Sequence, residues 1–114
     1  MKWRAPTAQE RGLLDALLGV EFPGRDELRT QAATCRVRTL DDEGSLEIQA
    51  KGPPASVVGE TPVDGEAEDM DGVILNAFLH VHDGLMTELE VVKADGSNLR
   101  RLPPAEKWRV VALE

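Results

Sequence analysis

The segment Val73 to Val92, VILNAFLHVHDGLMTELEVV, constrains this chain more than any other. Two aliphatic runs flank Asp83-Gly84, and Asp-Gly between such runs is the signature of a two-residue type I′ hairpin turn, which needs positive φ at both positions. Counting outward from the turn sets a register: His82 opposite Leu85, Val81 opposite Met86, His80 opposite Thr87, Leu79 opposite Glu88 and Phe78 opposite Leu89. On that register His80 and His82 share a face with Phe78, Leu85, Thr87 and Leu89, while Glu88 and Glu90 project from the other. The two carboxylates are therefore expected to lie out of reach of the histidines.

A second hairpin is read from CRVRTL and SLEIQA around the Asp41 to Gly44 turn. Placing Val37 opposite Ile48 also sets Thr39 opposite Leu46 and Cys35 opposite Ala50 on one face, with Arg38 against Glu47 and Arg36 against Gln49 on the other. That single choice sorts apolar from polar residues on both strands at once. Gly52-Pro53-Pro54 then makes a loop, Val57 and Val58 a short edge segment, and Val63 to Glu68 a solvent-facing strand ending in a turn at Asp69 to Gly72. Ala94 to Ser97 is a further turn, and Val110 to Leu113 a last short strand.

Ahead of the strands the period is helical. Thr7 and Glu10 form a capping box, each positioned to satisfy backbone donors at a helix start. Leu13, Leu14, Leu17 and Leu18 follow as one apolar stripe, and Gly19 suits a left-handed C-terminal position. Phe22-Pro23-Gly24 breaks the pattern, and RDELRTQAAT resumes it with acids in its first turn. Two helices before a run of strands, with no internal repeat, give an α+β class. The expected architecture is an N-terminal helical hairpin packed on a mostly antiparallel meander sheet of about five strands, with residues 1–114 as a single domain. A chain of 114 residues can bury roughly two thirds of the surface its unfolded form exposes, which is enough for a core without staples.

Charge separates along the chain. The formal net charge is -8, and from Asp41 to Glu90 the acids face a single base, Lys51, whereas both flanks carry arginines and lysines. Such a field opposes nucleic acid and anionic membrane and favours a basic partner. The four aromatics, Trp3, Phe22, Phe78 and Trp108, are too few and too dispersed for a base-stacking platform. One cysteine, Cys35, cannot form an internal disulfide, and the charged N-terminus offers no secretory or membrane-spanning segment. A cytoplasmic protein is expected.

Chemistry-bearing residues are sparse. His80 and His82 supply two metal donors where a zinc site needs three or four, so a third would have to come from elsewhere, for example from around Glu66 and Glu68. DGEAEDMDG is not a calcium loop, because aligning Gly72 with the loop glycine puts Ala67 and Phe78 where carboxylates are required. Cys35 falls on an apolar face, as a core residue. No nucleophile elbow, phosphate-cradling glycine loop or His-Glu-x-x-His occurs.

Phe22-Pro23-Gly24 with Leu28, Leu79-His80-Val81 with Asp83-Gly84, Leu85 and Glu88-Leu89-Glu90-Val91, and Leu102-Pro103 together resemble an uncharacterised family of small bacterial domains of unknown function, mostly from high-GC actinobacteria. The resemblance implies a fold and a bacterial cytosolic origin, and carries no activity. In size and acidity the chain is also similar to immunity proteins of bacterial toxin systems.

The expected function is a non-enzymatic binding module whose acidic surface engages a basic protein partner, as an immunity-type or regulatory inhibitor. Its contact residues are Glu66, Glu68, Asp69, Asp71, Glu88 and Glu90, with no cofactor. The alternative is a metal-dependent or histidine-dependent activity centred on His80 and His82. A third reading is a homo-oligomer formed through a sheet edge, with the acidic strand at Val63 to Glu68 as that edge.

Overall fold

A computed structural model describes residues 2–113. The chain runs through α1 (Ala8–Leu17), α2 (Arg25–Thr34), β1 (Arg36–Thr39), β2 (Leu46–Gln49), β3 (Val63–Glu68), β4 (Ile74–His82), β5 (Leu85–Lys93), a single 3₁₀ turn (Ala105–Lys107) and β6 (Arg109–Ala112). The class is α+β, and the sheet has six strands rather than about five, in the order β1-β2-β5-β4-β3-β6 with every pair antiparallel.

This order is not a simple meander. β3, β4 and β5 follow one another, but the β1-β2 hairpin joins the far side of β5, and β6 returns to pair with β3. The proline-bearing segment between β2 and β3 carries the chain across the end of the β4-β5 hairpin. It is tied there by the Ala55 amide donating to the Gly84 carbonyl at 2.9 Å and the Val81 amide donating to the Glu60 carbonyl at 2.7 Å. Val57 and Val58, expected as an edge segment, belong to this connection and form no strand. β3 likewise is not an edge, since it pairs on both sides; β1 and β6 hold the two edges. β3 therefore does not supply the free edge that the third reading, a homo-oligomer, assigned to it.

Several local readings hold. Thr7 caps α1 with both halves of the capping box made, and Arg4 grips the same Glu10 carboxylate through two bonds of 2.7 and 3.0 Å. Burial alone would raise the Glu10 pKa, but the bonds from Arg4 and Thr7 outweigh it and lower it. Gly19, expected to be left-handed, is not among the residues of positive φ; α1 is capped instead at Leu18, whose amide donates to the Leu14 carbonyl while the Gly19 amide donates to that of Ala16. β1 and β2 pair Val37 with Ile48 and Arg38 with Glu47 as the pattern requires.

Along β3 and β4 buried side chains alternate strictly with half-exposed or exposed ones. The buried set, including Val63, Ala67, Leu75, Ala77, Leu79 and Val81, forms one cluster with Leu13, Leu14, Leu17 and Leu18 of α1 and Leu28 of α2. Each such leucine contributes about 1.5–3 kcal/mol of burial free energy. The other set faces solvent and makes an open sheet face.

Candidate functional site

The open face is organised by one irregularity. Next to the Asp83-Gly84 turn, both of whose residues have positive φ, the pairing is as expected: His82 with Leu85 and Val81 with Met86. Between His80 and Val81 the register shifts, so that His80 lies opposite Glu88, Leu79 opposite Leu89 and Phe78 opposite Glu90. Thr87 is the extra residue, a β-bulge on β5. Its hydroxyl donates to the His80 carbonyl at 3.4 Å.

The expected separation of glutamates from histidines is thereby overturned. An unbroken ladder would have turned Leu89 outward and Glu88 and Glu90 inward, and the shift reverses both. Met86, Leu89 and Val91 enter the core together, and the bulge is what lets residues of mixed parity do so. Glu88 and Glu90 consequently stand beside His80. Ligand atoms of these three residues lie within 4.8 Å of one another.

His80 is held at both ring nitrogens. Nε2 lies 2.8 Å from Glu90 Oε1, and Nδ1 lies 3.1 Å from the hydroxyl of Thr61. Its side chain is 32% exposed and that of Glu90 41%, so the pair is fixed yet open to solvent. His82, two residues along on the same face, is separate: its nitrogens lie 3.6 Å from Glu60 and 3.4 Å from Asp83.

Other strands add charge to this face. Glu47 of β2 lies directly opposite Glu88 and is also paired with Arg38 of β1 at 2.5 Å. On β3, Asp64 and Glu66 fall opposite Phe78 and Asn76, and Glu66 is joined to Arg109 of β6. Glu68 is exposed at the end of the strand. Neither Glu66 nor Glu68 belongs to the group around His80. Arg38 also stacks over Trp3, 4.4 Å from the ring centre.

Asp69 and Asp71 have a different setting from the other sequence-selected acids. The Asp69 side chain is fully buried, and both its oxygens are engaged: Lys93 donates at 3.0 Å, and the amides of Met70, Arg100 and Arg101 donate at 2.7 to 3.0 Å. Burial alone would raise its pKa, but the Arg100 amide, Lys93 and the Met70 and Arg101 amides hold it down to about 2. Lys93, itself fully buried, also donates to Asp71 at 2.7 Å and to the Asn98 carbonyl at 3.0 Å. This cluster ties the end of β5 to the β3-β4 turn and to the segment leading toward β6. Its strand position makes Lys93 the inward residue after Leu89 and Val91, a signal present in the sequence once the bulge is known.

Cys35 is buried and its thiol is pushed up by that burial, in keeping with a core role. A groove of about 630 Å³ lined by Met70, Leu102, Pro104, Arg101 and Lys107, among others, includes no member of the His80 group. No helix among the described residues is long and apolar enough to cross a membrane.

Neither the curated proteins nor the solved structures contain a match to this chain. Residues 3–103, from the tryptophan before α1 to the proline before the 3₁₀ turn, match a family defined as a domain of unknown function, and the chain thus belongs to the DUF6984 family.

Proposed function

We propose that the chain is a non-enzymatic binding module whose open sheet face engages a basic protein partner, as an immunity-type or regulatory inhibitor does, in a bacterial cytosol. The observation that carries this reading is the charge of that face. Carboxylates come from three strands, Glu47 on β2, Asp64, Glu66 and Glu68 on β3, and Glu88 and Glu90 on β5. Arg38 and Arg109, the arginines that pair on this face, are already joined to Glu47 and Glu66. Among the described residues Asp64, Glu68 and Glu88 have no salt-bridge partner, and half-buried Phe78 sits between Glu90 and Asp64 as an apolar anchor.

Aromatic residues are enriched at the centres of protein contacts, and the rim around them is polar. The field would steer a cationic partner and raise its association rate, and salt would screen it over about 8 Å at physiological ionic strength. Asp69 contributes no exposed charge to such a contact, so the acids available from the sequence-selected set are Glu66, Glu68, Asp71, Glu88 and Glu90.

The test is capture of partners from a cell extract by immobilised wild-type protein and by two variants, Glu88→Lys with Glu90→Lys and Asp64→Lys with Glu68→Lys, all with EDTA. A basic protein held by the wild type at low salt, released as salt rises and bound at least tenfold more weakly by both variants is the expected result. Equal binding by wild type and variants would overturn the proposal.

A further inference from the structure

We propose that His80, Glu88 and Glu90 form a binding site for one divalent transition-metal ion of the zinc and manganese class. The donor set differs from the His80-His82 pair that the sequence suggests; it shares Glu88 and Glu90 with the acidic face, but it does not rest on the partner reading, since it concerns the protein alone.

The first ground is geometry. One imidazole nitrogen and two carboxylates converge from two adjacent strands, with ligand atoms within 4.8 Å of one another. An ion bound at about 2.0–2.2 Å by each donor brings such atoms somewhat closer than this, and the two glutamates that would turn toward it are half-exposed. Three protein ligands on an exposed face leave further coordination positions to water. A mixed nitrogen and oxygen set of this kind suits zinc, manganese, iron or cobalt better than calcium or magnesium, which take oxygen alone.

The second ground is the support behind His80. A metal-binding imidazole is oriented by a hydrogen bond at its other nitrogen, and Thr61 Oγ1 lies 3.1 Å from Nδ1 while Nε2 faces the Glu90 carboxylate. A hydroxyl both donates and accepts. It can therefore donate to Nδ1 while Nε2 carries the proton toward Glu90, and accept from a protonated Nδ1 when Nε2 is a ligand. The ring need not move between the two states.

The third ground is an electrostatically unfavourable arrangement on the open face. Glu88 and Glu90 lie on one face beside each other, and Glu47 is directly opposite Glu88. Like charges in directly opposed positions destabilise a sheet, and only Glu47 of these three has an arginine. A bound cation removes the repulsion, and local choices that conflict with the fold concentrate at functional sites.

The experiment is calorimetric titration of the untagged, chelator-treated protein with Zn²⁺, paired with Co²⁺ titration followed by visible absorption. The wild type is expected to bind one equivalent of each ion, with cobalt bands of an imidazole-carboxylate site. His80→Ala and Glu90→Gln should each weaken Zn²⁺ binding at least tenfold, and Thr61→Val by about tenfold through loss of ring positioning. His82→Ala should leave binding unchanged. Circular dichroism and thermal unfolding confirm that the variants are folded, and Glu88→Gln serves as a second ligand variant if either of the first two is not. Absence of saturable binding, equal binding by His80→Ala and wild type, or an equal loss in His82→Ala would overturn the assignment. The Asp64→Lys with Glu68→Lys variant keeps all three ligands, so it should bind metal normally even where it loses the partner.

Discussion

At the scale of single residues the most consequential group is Asp69, because it converts part of an acidic run into internal structure. Its carboxylate stays ionised inside the protein only because Lys93 and three backbone amides surround it. A buried ion pair is weak evidence of net stabilisation, since removing both charges from water is costly, but removing one partner leaves the other uncompensated. Asp69→Asn should therefore lower unfolding free energy in urea by several times the roughly 0.5 kcal/mol typical of exposed substitutions, for which Asp64→Asn is the control. The pH dependence follows from the direction of the shift. A carboxyl held at about 2 when folded, against an ordinary 3.8, adds stability that is complete above the ordinary value and is lost as pH falls through the folded one. Urea unfolding between about pH 4 and pH 2 should show a steeper loss in the wild type than in Asp69→Asn. Equal slopes would mean that Asp69 is not held in this way.

At the scale of elements the β4-β5 hairpin is fixed by its turn and by what docks on it. The Gly84 carbonyl accepts from the Ala55 amide and from Gln31 of α2, and Gln31 also accepts from the Met86 amide. Close approach demands glycine there: a Cβ at Gly84 would lie 2.7 Å from Pro54 Cβ and 2.9 Å from the Ala55 nitrogen, whereas one at Gly96 would meet nothing within 4 Å. Both have positive φ, 80° and 74°. Gly96→Ala should thus cost about 1 kcal/mol from backbone strain alone. Gly84→Ala should cost clearly more, as the 54–55 backbone must shift; matching losses in denaturant midpoint would show that the connection is not seated on the turn. The turn was legible from Asp83-Gly84, and the β1-β2 register from the way Val37 and Ile48 sort both faces. The bulge was not. Leu85 and Met86 are both apolar, as are Phe78 and Leu79, so two registers satisfy the local pattern and the core alone chooses between them.

At the scale of the whole molecule that choice decides which charges face water. The flanking helices, the strand limits of β3 and the final strand could be read from capping residues and periodicity. The strand order could not, because a proline-bearing connection leaves no local mark of the strands it crosses. Of the site, the histidines and Glu88 and Glu90 were each visible, but their convergence was not, since it depends on one unpaired residue, Thr87. By sequence Asp69 is one acid of an acidic run, because its burial depends on Lys93, which lies far from it in the chain. The open acidic face and the His80 group both stand on the register shift at Thr87. The direct test is nuclear Overhauser spectroscopy of the uniformly labelled protein, reading cross-strand backbone contacts between β4 and β5. Contacts placing His80 opposite Glu88 and Phe78 opposite Glu90 are the expected result. Contacts placing His80 opposite Thr87 and Phe78 opposite Leu89 would turn both glutamates to the other side of the sheet and contradict the account.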